Sequence, residues 1–184
     1  MRIIAGDKRG VRLVTLDGED TRPTLERVKE AMFSSIQFLL PGAIALDLFA
    51  GSGQLGLEAL SRGAARCTFV DDNREAATLV KDNCRKAGLF EKSRVLTQDA
   101  RTFLAQSREK YDIILLDPPY RKGMFPDLLQ WVAPVAAAGA VVLCETEPGV
   151  DMPEEAAGLT LKKQYRYGTV LVSHTVQRAF KTIA

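Results

Sequence analysis

A single α/β domain built on a mostly parallel, doubly wound sheet is what this sequence predicts, and three observations carry the prediction. The period of the apolar residues switches repeatedly between two and 3.6 along the chain, so strands alternate with helices. Segments such as IALDLF, IILL and AVVLC are apolar at mostly consecutive positions, as strands are when helices cover both faces of a sheet. The 184 residues are 46% hydrophobic and 26% charged. A chain of that size buries roughly 70% of its unfolded surface and needs no disulfide or metal to hold its core.

Residues 1–40 read as an extension made of a β-hairpin and a helix. The hairpin pairs 2–5 with 11–15 and turns at Gly6 and Gly10. Leu25, Val28, Met32, Ile36 and Leu39 then share one helical face, with Thr24 as the N-cap and Pro41-Gly42 as the stop. Residues 41–184 form the main body. Strands are expected at 43–49, 66–70, 94–97, 111–116 and 140–145, with helices at 54–62, 74–87, 102–107 and 125–132 between them. The segments 159–167 and 169–175, parted by Gly168, predict an antiparallel hairpin at the sheet's edge and bring the count to seven strands. No repeat or linker divides the body further.

The segment LDLFAGSGQLGLEAL sets Gly51, Gly53 and Gly56 in G-x-G-x-x-G spacing just after a strand and at the opening of a helix. Glycines there let the backbone turn sharply and approach a ligand closely. Asp71, 20 residues beyond Gly51, ends the next strand, where a carboxylate accepts from ribose hydroxyls. A nucleoside-containing cofactor fits the pattern, and both a nicotinamide dinucleotide and S-adenosyl-L-methionine qualify. Asp47 favours the latter, because it balances an ammonium and repels a pyrophosphate.

Asp117-Pro118-Pro119-Tyr120 follows the strand that ends at Leu116. The prolines fix the backbone and remove two N–H donors, which leaves carbonyl and carboxylate acceptors for an exocyclic amino group. Tyr120 offers a ring on which a base can stack. Together, D-P-P-Y and D-L-F-A-G-S-G-x-L-G resemble the Rossmann-like class I S-adenosylmethionine-dependent methyltransferases that act on amino groups of bases. R-I-I-A-G-x-x-R-G at the start, T-R-P-T-x-x-R-V-K-E-A-x-F from Thr21 to Phe33, and L-G-L-E-A-L-S-R-G-A from Leu55 to Ala64 are similar to the RsmD family, the bacterial 16S ribosomal RNA guanine-N2 methyltransferases. The resemblance spans essentially the whole chain. It implies that Asp47, Gly51, Gly53 and Asp71 contact S-adenosyl-L-methionine and that Asp99 meets the adenine amino group. It makes Asp117, Pro118 and Tyr120 the catalytic, base-handling residues, with no metal. Arg22, Pro23, Thr24 and Arg27 match the N-terminal motif, where contact with RNA or closure over the cofactor is expected.

Charge is uneven along the chain. Residues 1–16 carry Arg2, Lys8, Arg9 and Arg12 against Asp7, and residues 159–184 carry five basic residues and no acid, so the middle holds a net −6 within a total of +2. Basic ends suit a polyanion, and ordinary surface charge is the other reading. The first reading adds Arg9 and Arg12 to the Arg22, Thr24 and Arg27 that the resemblance implies, and together they make the RNA-binding set. It also makes residues 1–16 a peripheral hairpin whose removal leaves the sheet folded. Cys67, Cys84 and Cys144 are odd in number and widely spaced, so reduced core thiols are expected. His174, Trp131, Glu145 and Glu147 receive no role in the chemistry, Trp131 being placed in the core.

With charges from the first residues and no long apolar run, the expected setting is the cytoplasm, away from membranes. The expected partner is 16S rRNA within an assembling small ribosomal subunit, bound by a monomer. Two alternatives stay open: a DNA adenine-N6 methyltransferase, which would need a target-recognition insertion that is not visible, and a non-catalytic RNA-binding assembly factor.

Overall fold

Strands that are apolar on both faces leave a sheet no wet side, and in the computed structural model helices cover both. The structure describes residues 1–16, 23–118, 125–146, 152–167 and 170–177. In chain order the elements are α1 (Pro23–Ser35), β1 (Ile44–Leu48), α2 (Gln54–Ser61), β2 (Arg66–Asp71), α3 (Arg74–Ala87), β3 (Ser93–Thr97), α4 (Ala100–Gln106), β4 (Tyr111–Leu116), α5 (Phe125–Val132), β5 (Ala136–Thr146), β6 (Glu155–Ala156), β7 (Leu159–Tyr167) and β8 (Val170–Gln177). The strands form one sheet in the order β3-β2-β1-β4-β5-β8-β7-β6. β1 to β5 run parallel, and β8, β7 and β6 are antiparallel. The order reverses between β1 and β4, which is where ligands bind in open α/β sheets.

The pleat sorts the core into two layers. Ala45, Phe69, Ile113, Leu115, Val141 and Leu143 face α1, α2 and α3, where Val28, Phe33, Leu57 and Val80 meet them. Leu46, Leu48, Val70, Ile114, Leu116 and Val142 face Phe103 and Leu104 of α4 and Leu128, Leu129 and Val132 of α5. All three cysteines are free and buried, as the sequence predicts. Among the described residues, no helix is long and apolar enough to cross a membrane.

Several expectations change. Among the described residues the sheet has eight strands, because the two-residue β6 pairs with β7 at Glu155–Thr160 and Ala156–Leu159. The N-terminal hairpin is a single bridge, Arg2–Arg12, flanked by backbone bonds from Ile3 to Val11 (3.0 Å) and from Gly10 to Ile3 (2.8 Å). Thr24 is not the N-cap of α1: Pro23 already takes a helical position, where its missing N–H costs nothing. The helix ends at Ser35, and Leu39 is 51% exposed while Phe33 and Leu40 are buried instead. Trp131 is half-buried, with the Arg101 guanidinium 5.0 Å from its ring centre, so it borders the core rather than filling it.

Candidate active site

The pleat that turns Ala45 toward α2 turns Asp47 the same way, two residues on. Asp47 is 1% exposed, and its Oδ2 accepts the Gly56 N–H at 2.8 Å. Burial pushes its carboxyl up to about 8; the Gly56 bond opposes that shift, and Asp117 and Asp71 add to it.

Past β1 the backbone turns hard. Phe49 has φ 68, a left-handed conformation that strains a bulky residue, and Gly53 has φ 78 at the entry to α2. The Phe49 and Ala50 N–H groups both donate to the Val70 carbonyl, at 3.0 and 3.1 Å. Gly51 donates to Asp71 Oδ2 at 2.8 Å, and Asn73 donates to Asp71 Oδ1 at 2.9 Å. Asp71 thus clasps the loop after β1 to the turn after β2. Gly56 has a different duty from Gly51 and Gly53. A Cβ there would sit 2.3 Å from the Phe69 ring and 2.8 Å from Cys67 Sγ, so this glycine lets α2 lie close on β2.

Asp117 is half-buried and Pro118 buried, directly after β4. Leu116 pairs with both Leu48 and Cys144, so the next residues, Phe49, Asp117 and Glu145, come level at one edge of the sheet. Glu145 is 8% exposed, and burial, reinforced by Asp117, pushes its carboxyl up to about 8. Sequence reasoning gave this residue no role. Its signal was a glutamate continuing the apolar run AVVLC into a buried strand end. Tyr120 and Glu147 lie outside the described residues.

Asp99 follows β3 and is exposed. Its Oδ1 caps α4, accepting the Thr102 N–H at 2.8 Å and the Thr102 hydroxyl at 2.9 Å, and these bonds hold the carboxyl below its usual range. With Oδ1 engaged in the cap, Oδ2 is the oxygen left for an adenine amino group.

Of the RNA-binding set, Arg9 and Arg27 are exposed and line a groove of about 440 Å³ that also holds Glu26 and Glu30. Arg2 lines it too, paired with Glu26 at 3.0 Å. Arg12 is exposed outside that groove, Arg22 lies outside the described residues, and so does the side chain of Thr24.

The extension is not peripheral, which corrects the expectation that its removal is harmless. Ile3 and Leu13 belong to the core, at 0% and 6% exposure. The Ile4 and Ala5 N–H groups donate to the fully buried Glu58 at 2.8 and 3.0 Å, and Lys29 donates to the Arg2 carbonyl at 2.8 Å. Cutting residues 1–16 away would strip two backbone donors from a buried carboxylate and open an apolar face.

Comparison with known proteins adds to this geometry. Residues 1–176 match the family model described as conserved hypothetical protein 95. YlbH of Bacillus subtilis (strain 168) is 38% identical over 173 residues, 91% of this chain and 94% of its own. Ribosomal RNA small subunit methyltransferase D of Escherichia coli (strain K12) is 35% identical over 178 residues, 92% of this chain and 86% of its own. The solved structure of yhhF from Escherichia coli superposes with a TM-score of 0.87 at 33% identity, over 97% of this chain and 98% of that one. A more distant structure, SMU.776 complexed with SAH, has the same fold at TM-score 0.70 and 15% identity, over 83% of this chain and 49% of that one.

Proposed function

The chain belongs to the RsmD family, whose model is described as conserved hypothetical protein 95, and on that premise we propose that it transfers a methyl group from S-adenosyl-L-methionine to the exocyclic N2 of a guanine in 16S ribosomal RNA. The supporting observation is the shared edge at the sheet's switch point. There the Asp71–Gly51 clasp and the Asp117-Pro118 segment follow neighbouring strands, so a nucleoside held by one would face a base held by the other.

The residues present fit the cofactor. Ser52 sits between Gly51 and Gly53 with a buried hydroxyl that finds no partner in the protein, a polar atom awaiting a ligand. Asp71 is assigned to the ribose hydroxyls, and Asp47 favours the cationic amino-acid end. Asp99 is assigned to the adenine amino group. The bound cofactor supplies a sulfonium methyl that is already activated, so the difficulty lies with the nucleophile.

The guanine amino nitrogen is planar, its lone pair delocalised into the ring. Asp117 and the Pro118 carbonyl accept its hydrogens and turn the lone pair toward the methyl group, and Tyr120 stacks on the splayed base. Asp117, as a carboxylate, also stabilises the positive charge that develops on nitrogen. Arg9, Arg12, Arg22, Thr24 and Arg27 grip the RNA backbone. The protein acts as a cytoplasmic monomer on an assembling small subunit.

The test is methyl transfer from labelled S-adenosylmethionine to small-subunit RNA, followed by nucleoside mass spectrometry. N2-methylguanosine is the expected product. N6-methyladenine in DNA instead, or RNA binding without transfer, would install one of the two alternatives. Asp117→Ala should lower single-turnover transfer about a hundredfold or more while cofactor affinity stays nearly intact.

A further inference from the structure

Asn83, on α3, is a buried polar group that the chemistry above leaves unused. It is 1% exposed. Its Oδ1 accepts the Val14 N–H at 2.9 Å, and its Nδ2 donates to the Val14 carbonyl at 2.9 Å. The same Nδ2 donates to the Ser52 carbonyl at 2.9 Å. One amide therefore fastens Val14 of the extension to the middle of the glycine loop, across sequence separations of 69 and 31 residues.

None of this is needed to build α3, which carries its own caps: Asn73 accepts from Glu75 and Ala76 at the start, and Gly88 is left-handed at the end. An apolar residue would serve the helix's inward face as well as Val80 and Cys84 do on either side. An amide whose donors and acceptor are all engaged is instead sensitive to the position of each partner, because displacement of either leaves a buried polar atom unpaired. Val14 itself is 51% exposed, so its place on α3 is set by backbone bonds to Asn83 more than by burial of its side chain. Past Val14 and Leu16 the chain leads to the T-R-P-T segment.

We infer that Asn83 is a positioning residue that couples the two ligands: cofactor bound at the glycine loop orders the RNA-gripping extension through it, and RNA bound to the extension orders the loop. This rests on the functional reading above, with the glycine loop as cofactor site and the extension as RNA site. Coupling of this kind is reciprocal. Each ligand must tighten the other by one common factor, typically 5- to 150-fold for coupled sites.

The experiment measures four dissociation constants for the full chain: S-adenosylhomocysteine with and without a small-subunit rRNA transcript, and the transcript with and without S-adenosylhomocysteine. The parent is expected to show the same factor, fivefold or more, in both directions. In Asn83→Leu, similar in volume and unable to hydrogen-bond, the factor should fall to below twofold while each separate affinity stays within about threefold. Val14→Pro removes the N–H that Asn83 accepts without touching α3 and should lose coupling likewise, and it decides the matter if the leucine variant does not fold. A parent factor near one overturns the inference, as does full coupling in whichever variant folds. A merely structural Asn83 would lower the melting temperature and leave the factor unchanged, which also overturns it. Failure of the parent to bind either ligand would instead strike the functional reading itself.

Discussion

The seam beneath the N-terminal extension and the carboxyl edge of the sheet each bury a carboxylate, and they treat it in opposite ways. Glu58, at 0% exposure, accepts the N–H groups of Ile4 and Ala5 and the Arg62 Nε at 2.8 Å, with Lys29 Nζ 3.7 Å away. Desolvation lowers the Lys29 ammonium below its ordinary value, and the attraction of Glu58 works against that shift. Asp47, at 1% exposure, accepts one backbone N–H from Gly56, and the charges that act on it are the carboxylates of Asp117 and Asp71. At the seam, opposite charges and donors surround the buried anion, as structure alone requires. At the edge, like charges are crowded and burial raises two of them, Asp47 and Glu145, to about 8. Tension of that sort is relieved by a cation or a hydrogen-bond donor brought from outside, which is what a functional site receives.

The largest effect should come from breaking the seam. Glu58→Ala leaves the Ile4 and Ala5 N–H groups and the half-buried Arg62 Nε without their acceptor and the buried Lys29 without its counter-charge, and the expected loss is about 3–5 kcal/mol of folding stability. Urea denaturation reads it directly. A loss below about 1 kcal/mol would mean that the seam is not structural cement, and the contrast with the edge would collapse. Truncation of residues 1–16 should be at least as damaging, because it removes Ile3 and Leu13 from the core as well.

At the edge, a comparable cut should be felt in binding. Asp71→Ala removes the carboxylate assigned to the ribose and the clasp on Gly51, and S-adenosylhomocysteine should bind more weakly by about 1.5–3 kcal/mol, roughly ten- to a hundredfold. Isothermal calorimetry measures this. Unchanged affinity would detach Asp71 from the cofactor and leave it a loop clasp only.

What could be read from sequence was whatever is local. The G-x-G-x-x-G spacing, the apolar strands and D-P-P each lie within a dozen residues, and the bounds of α3, β4, α5 and β7 follow from periodicity and caps close by. The seam was illegible for the converse reason. Glu58 meets Ile4 and Ala5 across 54 and 53 residues, and nothing near Glu58 announces that its partners are backbone N–H groups of the extension. Asn83 was hidden in the same way. Gly56 looked like its two companions in the motif, yet only the Phe69 ring and Cys67 on the neighbouring strand give it a packing duty. β6 is two residues long and has no period to detect.

The smallest effect is the most direct test of the contrast, because it reads the charge on Asp47 itself. Its carboxyl sits at about 8 in the folded protein against 3.8 ordinarily, so the folded state holds a proton that the unfolded state has lost. Stability contributed by that proton is full below pH 4 and declines as pH rises toward 8. Glu145, also at about 8, acts in the same direction. The melting temperature of the ligand-free protein should therefore fall between pH 6 and 8, and Asp47→Asn, which keeps an acceptor for Gly56 but cannot ionise, should flatten that fall by about 1 kcal/mol. S-adenosylmethionine brings an ammonium and a sulfonium, and binding it favours the ionised carboxylate. Its affinity should then rise with pH over the same interval in the parent and stay level in Asp47→Asn. Parallel pH profiles for the two proteins, in melting and in binding alike, would show that Asp47 carries no titrating charge at the edge and that its burial is as well satisfied as that of Glu58.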